Sequence, residues 1–540
     1  MSRTGGRSPR TAGVRDGGDG SAARRTDGEA ADGGPLEGLA AGSILTTAGM
    51  VATGVLGFTL TIVVTRGLGA LGAGVFFQSV ALFSVLASLC ELGAPAGLVR
   101  TIPRFRALGR SGEIRGTVRV ALWPVVAVST AVATVLFILA PQVGDLLGLS
   151  STTGTTAVRV VAPALPLAAA SAVALAGTRG FGAMIPYVAL ENIVKPGLRP
   201  LLVGVVVALG LGAAAALAAW ALPAGLILTP AIVILANQIR RTTPAISAAG
   251  SFKALAAEFW RFAAPRGLAS IFHVAIVWID VLLIGSLRST EEAGVYAAVG
   301  RLVVLGVFAI EGVRLAIAPQ ISRALATRDE VGARLLYRTG TWWLVAASWP
   351  LYLTLAIFAP VVLGIFGPRF DQGATALMIV SLTMLVGVGT GNVTVVLLMG
   401  GRSGWNLLNT AAALVVNLVL NILLIPKLGM TGAAMAWGAS LLVNNLLPLA
   451  QVWRSLRMDP FGEGFSLAAG ASLLSFGAIG MATRVLLGPT WLAFLLFLTT
   501  ATFVYGALLF HFRTRLQLPA LTRGLVGLVG PMRMTRRRRP

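Results

Sequence analysis

The chain has 540 residues, 56% hydrophobic and only 12% charged, with a mean hydropathy of +0.84, which excludes an ordinary water-soluble protein of this length. Its 43 Lys and Arg against 20 Asp and Glu give a net charge of +23, but the bases sit in short loops and tails between apolar runs. There they orient membrane helices, so no nucleic-acid partner is expected. Cys90 is the single cysteine, which excludes an intrachain disulfide and a cysteine-based metal site; no metal and no cofactor are expected.

Taken in order, residues 1–38 are rich in Gly, Ser, Arg and Asp and nearly devoid of large apolar side chains, so they read as a disordered cytosolic tail. Arg24-Arg25 is followed by Thr26-Asp27-Gly28-Glu29 and not by the apolar run of a twin-arginine signal. Fourteen apolar stretches then follow, beginning near residues 42, 74, 117, 156, 186, 211, 263, 293, 339, 373, 405, 431, 464 and 491. Stretches of this kind are long enough to cross a hydrocarbon layer as helices, and none alternates with the period of two that a barrel strand requires. An even number of spans places both termini in the cytosol. The loop charges agree: one cytosolic loop holds Arg100, Arg104, Arg106, Arg110, Arg115 and Arg119, whereas all the outer loops together hold Arg66, Arg159, Arg288, Arg369, Lys427 and Arg484. The basic tail 513–540, ending Arg536-Arg537-Arg538-Arg539, is suited to anionic membrane lipid.

The fold class expected is therefore an all-α polytopic membrane protein, and a repeat organises it. Shifting the chain by 220 positions without a gap sets Gly74-Val75-Phe76 on Gly294-Val295-Tyr296, Glu91 on Glu311 and Gly212-Ala213-Ala214 on Gly432-Ala433-Ala434. Two pseudo-symmetric six-helix lobes result, 42–236 (helices 1–6) and 263–452 (helices 7–12), joined by a basic cytosolic linker, 237–262, and followed by a helix pair at 464–512. Duplicated membrane bundles of this kind are a mark of carriers, whose substrate site lies between the halves.

Catalytic motifs are missing. Gly67-Leu68-Gly69-Ala70-Leu71-Gly72 fits G-x-G-x-x-G by letters but joins two membrane helices with no strand before it, so a dinucleotide site is excluded by context. There is no phosphate-binding loop, no H-E-x-x-H and no G-x-S-x-G, and no enzyme is expected. What remains is the set of ionisable residues inside the spans, each costing on the order of 2.5–3.5 kcal/mol at the bilayer centre unless it faces water or a partner. Glu191, Lys195 and Arg199 recur every four residues and form one stripe; Arg301 and Arg314 bracket Glu311; His273 and Asp280 lie two turns apart on one face. Arg301, Lys195, Arg199 and Arg314 suit an anionic substrate such as a pyrophosphate, because guanidinium forks match phosphate oxygens. Asp280, Glu311, Glu91, Glu191 and His273 suit ion coupling or charge pairing.

Blander readings stand beside these. Glu191 and Lys195 can neutralise one another, Arg199 can snorkel from a helix bent by Pro196 and Pro200, and Glu91 and Glu311 can sit near loops. His273 can be a packed histidine, Asp280 finds its best partner in Arg301, and Asn406, Asn409, Asn417 and Asn421 are suited to bonds between helices.

With these residues in place a family resemblance appears. Leu68-Gly69 with Gly74-Val75-Phe76 and Glu91-Leu92-Gly93, then Asp280 to Gly285 with Gly294-Val295-Tyr296 and Arg301-Leu302, then Gly400-Gly401-Arg402, Asn417 to Asn421 and Ile425 to Ala434, resemble the polysaccharide-repeat-unit flippases. These belong to the multidrug/oligosaccharidyl-lipid/polysaccharide exporter superfamily. The resemblance implies a V-shaped bundle in the bacterial cytoplasmic membrane that turns an undecaprenyl-pyrophosphate-linked oligosaccharide outward by alternating access, through a cationic cavity. A glycan polymerase or glycosyltransferases of the same pathway are the implied partners. A lipid II flippase and a cation-coupled drug exporter are alternatives within the superfamily; a polytopic glycan polymerase or ligase, or a membrane scaffold, are alternatives outside it.

Overall fold

The computed structural model describes residues 35–149, 152–242 and 251–517; for residues 35–47, 308–312, 314–316, 319 and 403 it describes the backbone alone. The tails and the middle of the 237–262 linker therefore lie outside the described residues. Met1–Ala41 and Gly42–Pro540 are separate units; of the first only Pro35–Ala41 is described, as helix, and the second is one compact body.

Among the described residues there is helix and no strand. The first half comprises α1 (Pro35–Cys90), α2 (Ala94–Ala107), α3 (Ile114–Ile138), α4 (Ala140–Leu146), α5 (Thr152–Val161), α6 (Ala164–Gly180), α7 (Met184–Tyr187), α8 (Lys195–Ala208) and α9 (Gly212–Thr242). The second comprises α10 (Phe252–Leu287), α11 (Thr290–Ala326), α12 (Glu330–Ile357), α13 (Ala359–Leu363), α14 (Ala374–Gly389), α15 (Val393–Met399), α16 (Ser403–Leu428) and α17 (Met430–Leu456). Then come α18 (Glu463–Ser472), α19 (Ile479–Leu487) and α20 (Trp491–His511).

Local chemistry sets the breaks. Within α1, Gly69 has φ 68°, a left-handed conformation open to glycine, and the chain kinks there. The 220-residue shift places Gly69 on Ser289, the N-cap that separates α10 from α11 and accepts from the Glu292 amide at 3.2 Å. So α1 is two helices fused across a kink, the counterpart of α10 and α11. The copies also differ. The first breaks at Glu91–Gly93, where Leu92 (φ 51°) and Gly93 (φ 77°) turn left-handed, while α11 runs unbroken through the equivalent positions.

Among the described residues ten helices are long and apolar enough to cross a membrane, or eleven if the bent pair Glu330–Ile357 and Ala359–Phe366 is one span. That count does not reach the expected fourteen. It takes Ala48–Ala107 as a single span, although 60 residues at helical rise would run about 90 Å, three times the hydrocarbon thickness, and the chain kinks at Gly69 and breaks at Glu91–Gly93. It also leaves out Met184–Ala208, which is cut into pieces by a π turn, and Thr290–Ala326.

The core is joined in one region and divided in another. The largest cluster runs through both halves, from Leu60, Val64 and Phe76 to Ile284, Val295, Phe366 and Phe370. A second, around Leu98, Phe105 and Val173, holds helices of the first half and the start of α10; a third, around Ile321, Tyr337 and Val396, belongs to the second half alone. Side chains of each half bond the backbone of the other across the seam: the Thr290 hydroxyl donates to the Gly148 carbonyl at 3.0 Å, and Arg66 Nε to the Ile365 carbonyl at 2.7 Å.

Candidate substrate cavity

α8 carries the stripe read from the sequence, and two prolines shape it. Pro196 has no N–H to offer the Asn192 carbonyl four residues back, and Val188–Val194 widens into a π turn. The Asn192 carbonyl accepts instead from the Thr53 hydroxyl of α1 at 3.0 Å. Glu191 sits inside this turn, and its Oε1 takes the Lys195 ammonium at 2.6 Å with both side chains half-buried. Neutralisation of Lys195 by Glu191 is thus present, while Glu191 Oε2 is buried with no hydrogen-bond partner.

Arg199, one turn on, does not snorkel. Its guanidinium lies 4.1 Å from the centre of the Trp220 ring, and Nε donates to the Trp220 carbonyl at 3.2 Å. Trp220 is held edge-on by Phe83 at 5.2 Å and Phe76 at 6.4 Å. Arg301 comes from the other half, 5.4 Å over Trp278, and lies within Coulombic reach of Arg199. Among the described residues neither guanidinium has a carboxylate at salt-bridge distance. Two like charges from two halves thus lie within Coulombic reach of one another, with Glu191 also within reach of Arg199, an arrangement suited to an anion.

Glu91 lies at the break between α1 and α2, within Coulombic reach of Lys195 and Glu191. Arg179 and Tyr187, which the sequence did not single out, complete this group: the Arg179 guanidinium is 4.2 Å over the Tyr187 ring, and Tyr187 is within reach of Glu191 and Glu91. Their signal was present, since Arg179 closes an apolar run and Tyr187 precedes Glu191 by one turn.

Asp280 is elsewhere. The expected Arg301 partner is replaced by Tyr296, whose hydroxyl donates to Oδ2 at 3.1 Å, and by Asn421 Nδ2, which donates to Oδ1 at 2.7 Å and to Asn417 Oδ1 at 3.1 Å. The carboxylate is 2% exposed. Asn421 bonds across helices as the sequence suggested, as does Asn409 with Gln451, while Asn417 bonds to Asn421 within α16. His273, about 10 Å along α10 from Asp280 by helical rise, is exposed and makes no hydrogen bond to it. The side chains of Glu311 and Arg314 lie outside the described residues.

The two halves place their polar residues on different positions of equivalent helices. The shift sets Glu191 of the π turn and Lys195 and Arg199 of α8 on Ala411, Val415 and Val419 of α16, and sets Asp280, Asn417 and Asn421 on Leu60, Gly197 and Leu201.

Comparison with known proteins places these features. A family described as "Polysaccharide biosynthesis protein" matches residues 39–325, and the MatE family matches 265–424. A probable low-salt glycan biosynthesis flippase of Haloferax volcanii is 25% identical over 178 residues, covering 32% of this chain; the match spans about a third, 36%, of that relative. The lipid II flippase MurJ in an inward closed conformation superposes with a TM-score of 0.69 at 11% identity, covering 88% of this chain and 99% of that one. An inward-facing multidrug resistance MATE transporter gives 0.60 at 14%, covering 75% and 95%. At these identities the structural likeness establishes the fold alone, an all-helical one like those of MurJ and the MATE transporter.

Proposed function

Since the chain belongs to the polysaccharide biosynthesis protein family, we propose that it is a flippase that moves a lipid-linked oligosaccharide across a membrane by alternating access, with no covalent chemistry. The observation that carries this reading is the Arg199–Arg301 pair: one guanidinium from each half, each seated on a tryptophan, with no carboxylate at salt-bridge distance among the described residues. A pyrophosphate between them would hold the head group at the seam of the two halves. Lys195 becomes a third cation if the substrate's phosphate displaces Glu191.

The protein is a multi-pass membrane protein; we place it in the bacterial cytoplasmic membrane with both termini cytosolic, on the loop charges. On that topology the continuous core lies at the outer end and the divided cores at the cytosolic end. An undecaprenyl pyrophosphate carrier of the glycan is the substrate proposed, and the glycosyltransferases and polymerase of its pathway are the partners. Asp280, with its tyrosine and two asparagines, and Glu91 and Glu191 are the groups we assign to ion coupling or charge balance.

The test is reconstitution. Purified protein in liposomes should carry a fluorescent oligosaccharide-pyrophosphate-polyprenol to the opposite leaflet without change of mass, and the double variant Arg199→Gln/Arg301→Gln should not. Equal translocation by the variant removes the arginines from the mechanism; a change in substrate mass makes the protein an enzyme.

A further inference from the structure

A groove of about 600 Å³ runs between α1 and α8, lined by Leu56, Thr59 and Val63 on one side and Ile193, Gly197 and Leu201 on the other. It occupies the position that, in the second half, is bridged by polar side chains. There Asp280 and Asn421 tie α10 to α16, with Asn417 bonded to Asn421; here their equivalents are Leu60, Leu201 and Gly197, and among the described residues no side-chain hydrogen bond spans the groove. A Cβ added to Gly197 would meet only Leu56 Cδ1, at 3.9 Å.

The gap is built into the packing. Beyond one end Gly49 abuts Asn192, where a Cβ would lie 2.9 Å from Nδ2, and Thr53 bonds the Asn192 carbonyl. Beyond the other, Gly67 presses on Val207. Two close contacts, at Asn192 and Val207, fix the helix separation, and the groove-lining part of the stretch between them, Ile193 to Leu201, extends about 12 Å. Its walls are apolar and accessible from the side, with Leu201 66% and Ile193 47% exposed.

The neighbours of the groove indicate its occupant. Val194 and Leu198, which also line it, are adjacent in sequence to Lys195 and Arg199, so one turn of α8 presents cations on one face and an apolar channel about 100° away. We propose that the α1–α8 groove seats the polyprenyl chain of the transported lipid while Lys195 and Arg199 engage its phosphates; this rests on the flippase reading. A chain leaving the bilayer for this groove gains little hydrophobic energy, because lipid tails are as apolar as leucine. What the groove supplies is shape, and with it discrimination between a methyl-branched polyprenyl chain and a straight acyl chain.

Photolabelling of the unaltered full chain in liposomes tests this, with a diazirine-bearing polyprenyl pyrophosphate and a diazirine-bearing phospholipid as probes. The prenyl probe should label the segments holding Leu56–Val63 and Ile193–Leu201, and unlabelled polyprenyl pyrophosphate should suppress phospholipid labelling there. Label elsewhere, or phospholipid label that the prenyl compound does not displace, overturns the proposal and leaves the groove to bulk lipid. In a second arm, Gly197→Leu and Thr59→Trp, at wild-type abundance and unfolding temperature, should lower the ratio of long-chain to short-chain substrate transport by about tenfold, the loss of a set of close dispersion contacts. An unchanged ratio also overturns it. Failure of the unaltered protein to move either substrate refutes the flippase reading itself, an outcome distinct from a wild-type transporter whose groove variants show no chain-length effect.

Discussion

Gly74 and Gly294 press on one another's helices at the seam: a Cβ on Gly74 would overlap the Thr290 carbonyl, and one on Gly294 would overlap the Ala70 carbonyl and lie 2.6 Å from the Gly74 amide nitrogen. Ala70 and Thr290 are themselves equivalent under the 220-residue shift, so a pseudo-two-fold axis carries this contact onto itself. The same relation links two loops. Gly148 packs on Gly285, and Ile365–Pro368, its counterpart region, receives Arg66.

Because the atoms opposing Gly74 and Gly294 are backbone, no side-chain rotation can make room. Gly74→Val and Gly294→Val should each push the halves apart at this end, costing about 1–3 kcal/mol as overpacking. The double variant should cost much less than the sum, since the first substitution already opens the contact. Thermal unfolding in detergent measures the energies, and labelling of a cysteine placed at Ala70 measures the opening; additive losses with no gain in labelling would show that the two glycines do not share one contact.

The π turn gives a second prediction. Pro196→Ala restores an N–H opposite the Asn192 carbonyl, which the Thr53 hydroxyl now satisfies. Thr53→Val should therefore destabilise the parent protein by about 1 kcal/mol, the worth of one hydrogen bond. In the Pro196→Ala background it should cost distinctly less. If the π turn closes to regular helix, one residue leaves the bulge and Glu191 rotates by about 100° against Lys195. Transport should then fall while stability does not, read from unfolding temperature and liposome translocation on the same samples.

Asp280 is held by hydrogen bonds from two helices, and leaving those donors bare is costly. Asp280→Leu strands the Tyr296 hydroxyl and Asn421 amide and should destabilise by several kcal/mol, at about 1–3 kcal/mol per stranded group. Asp280→Asn, which can still accept, should cost less than half as much. A double-mutant cycle of Asp280→Ala with Asn421→Ala should return a coupling of about 1.5–3 kcal/mol, typical of a hydrogen bond to a charged group. Zero coupling would break the assignment of this pair.

The duplicated frame was legible in the sequence because its contacts are made by glycines, whose spacing survives where side chains diverge. Gly74 and Gly294 mark both the repeat and the seam. The stripe Glu191–Lys195–Arg199 was legible too, since neighbours on one helix are fixed by its period. Partners on different helices were not: nothing in the spacing of Asp280 and Arg301 shows that Tyr296 and Asn421 reach the carboxylate first. Nor could the sequence seat Arg199 on Trp220, because that requires α8 and α9 to be packed side by side. The span count diverged where helices fuse or widen, at the Gly69 kink and the Pro196 π turn, features that hydropathy alone does not resolve.

The opposed guanidiniums allow the sharpest test, because stability and transport should move in opposite directions. Arg199 and Arg301 are like charges within Coulombic reach, with Glu191 also in reach of Arg199, and binding of an anion should relieve their repulsion. Arg301→Glu replaces that repulsion with an internal ion pair, so the variant should unfold at a temperature equal to or above that of the parent. Its transport should be abolished, because Arg199 is then neutralised and a carboxylate repels the incoming phosphate. Arg301→Lys keeps the charge without the planar fork and should retain transport reduced by roughly tenfold, the equivalent of about 1.4 kcal/mol. Excess pyrophosphate should raise the unfolding temperature of the parent, less so that of Arg301→Lys, and leave Arg301→Glu unmoved. Should Arg301→Glu unfold early and still transport, the two arginines serve packing, and the anion belongs somewhere other than the seam.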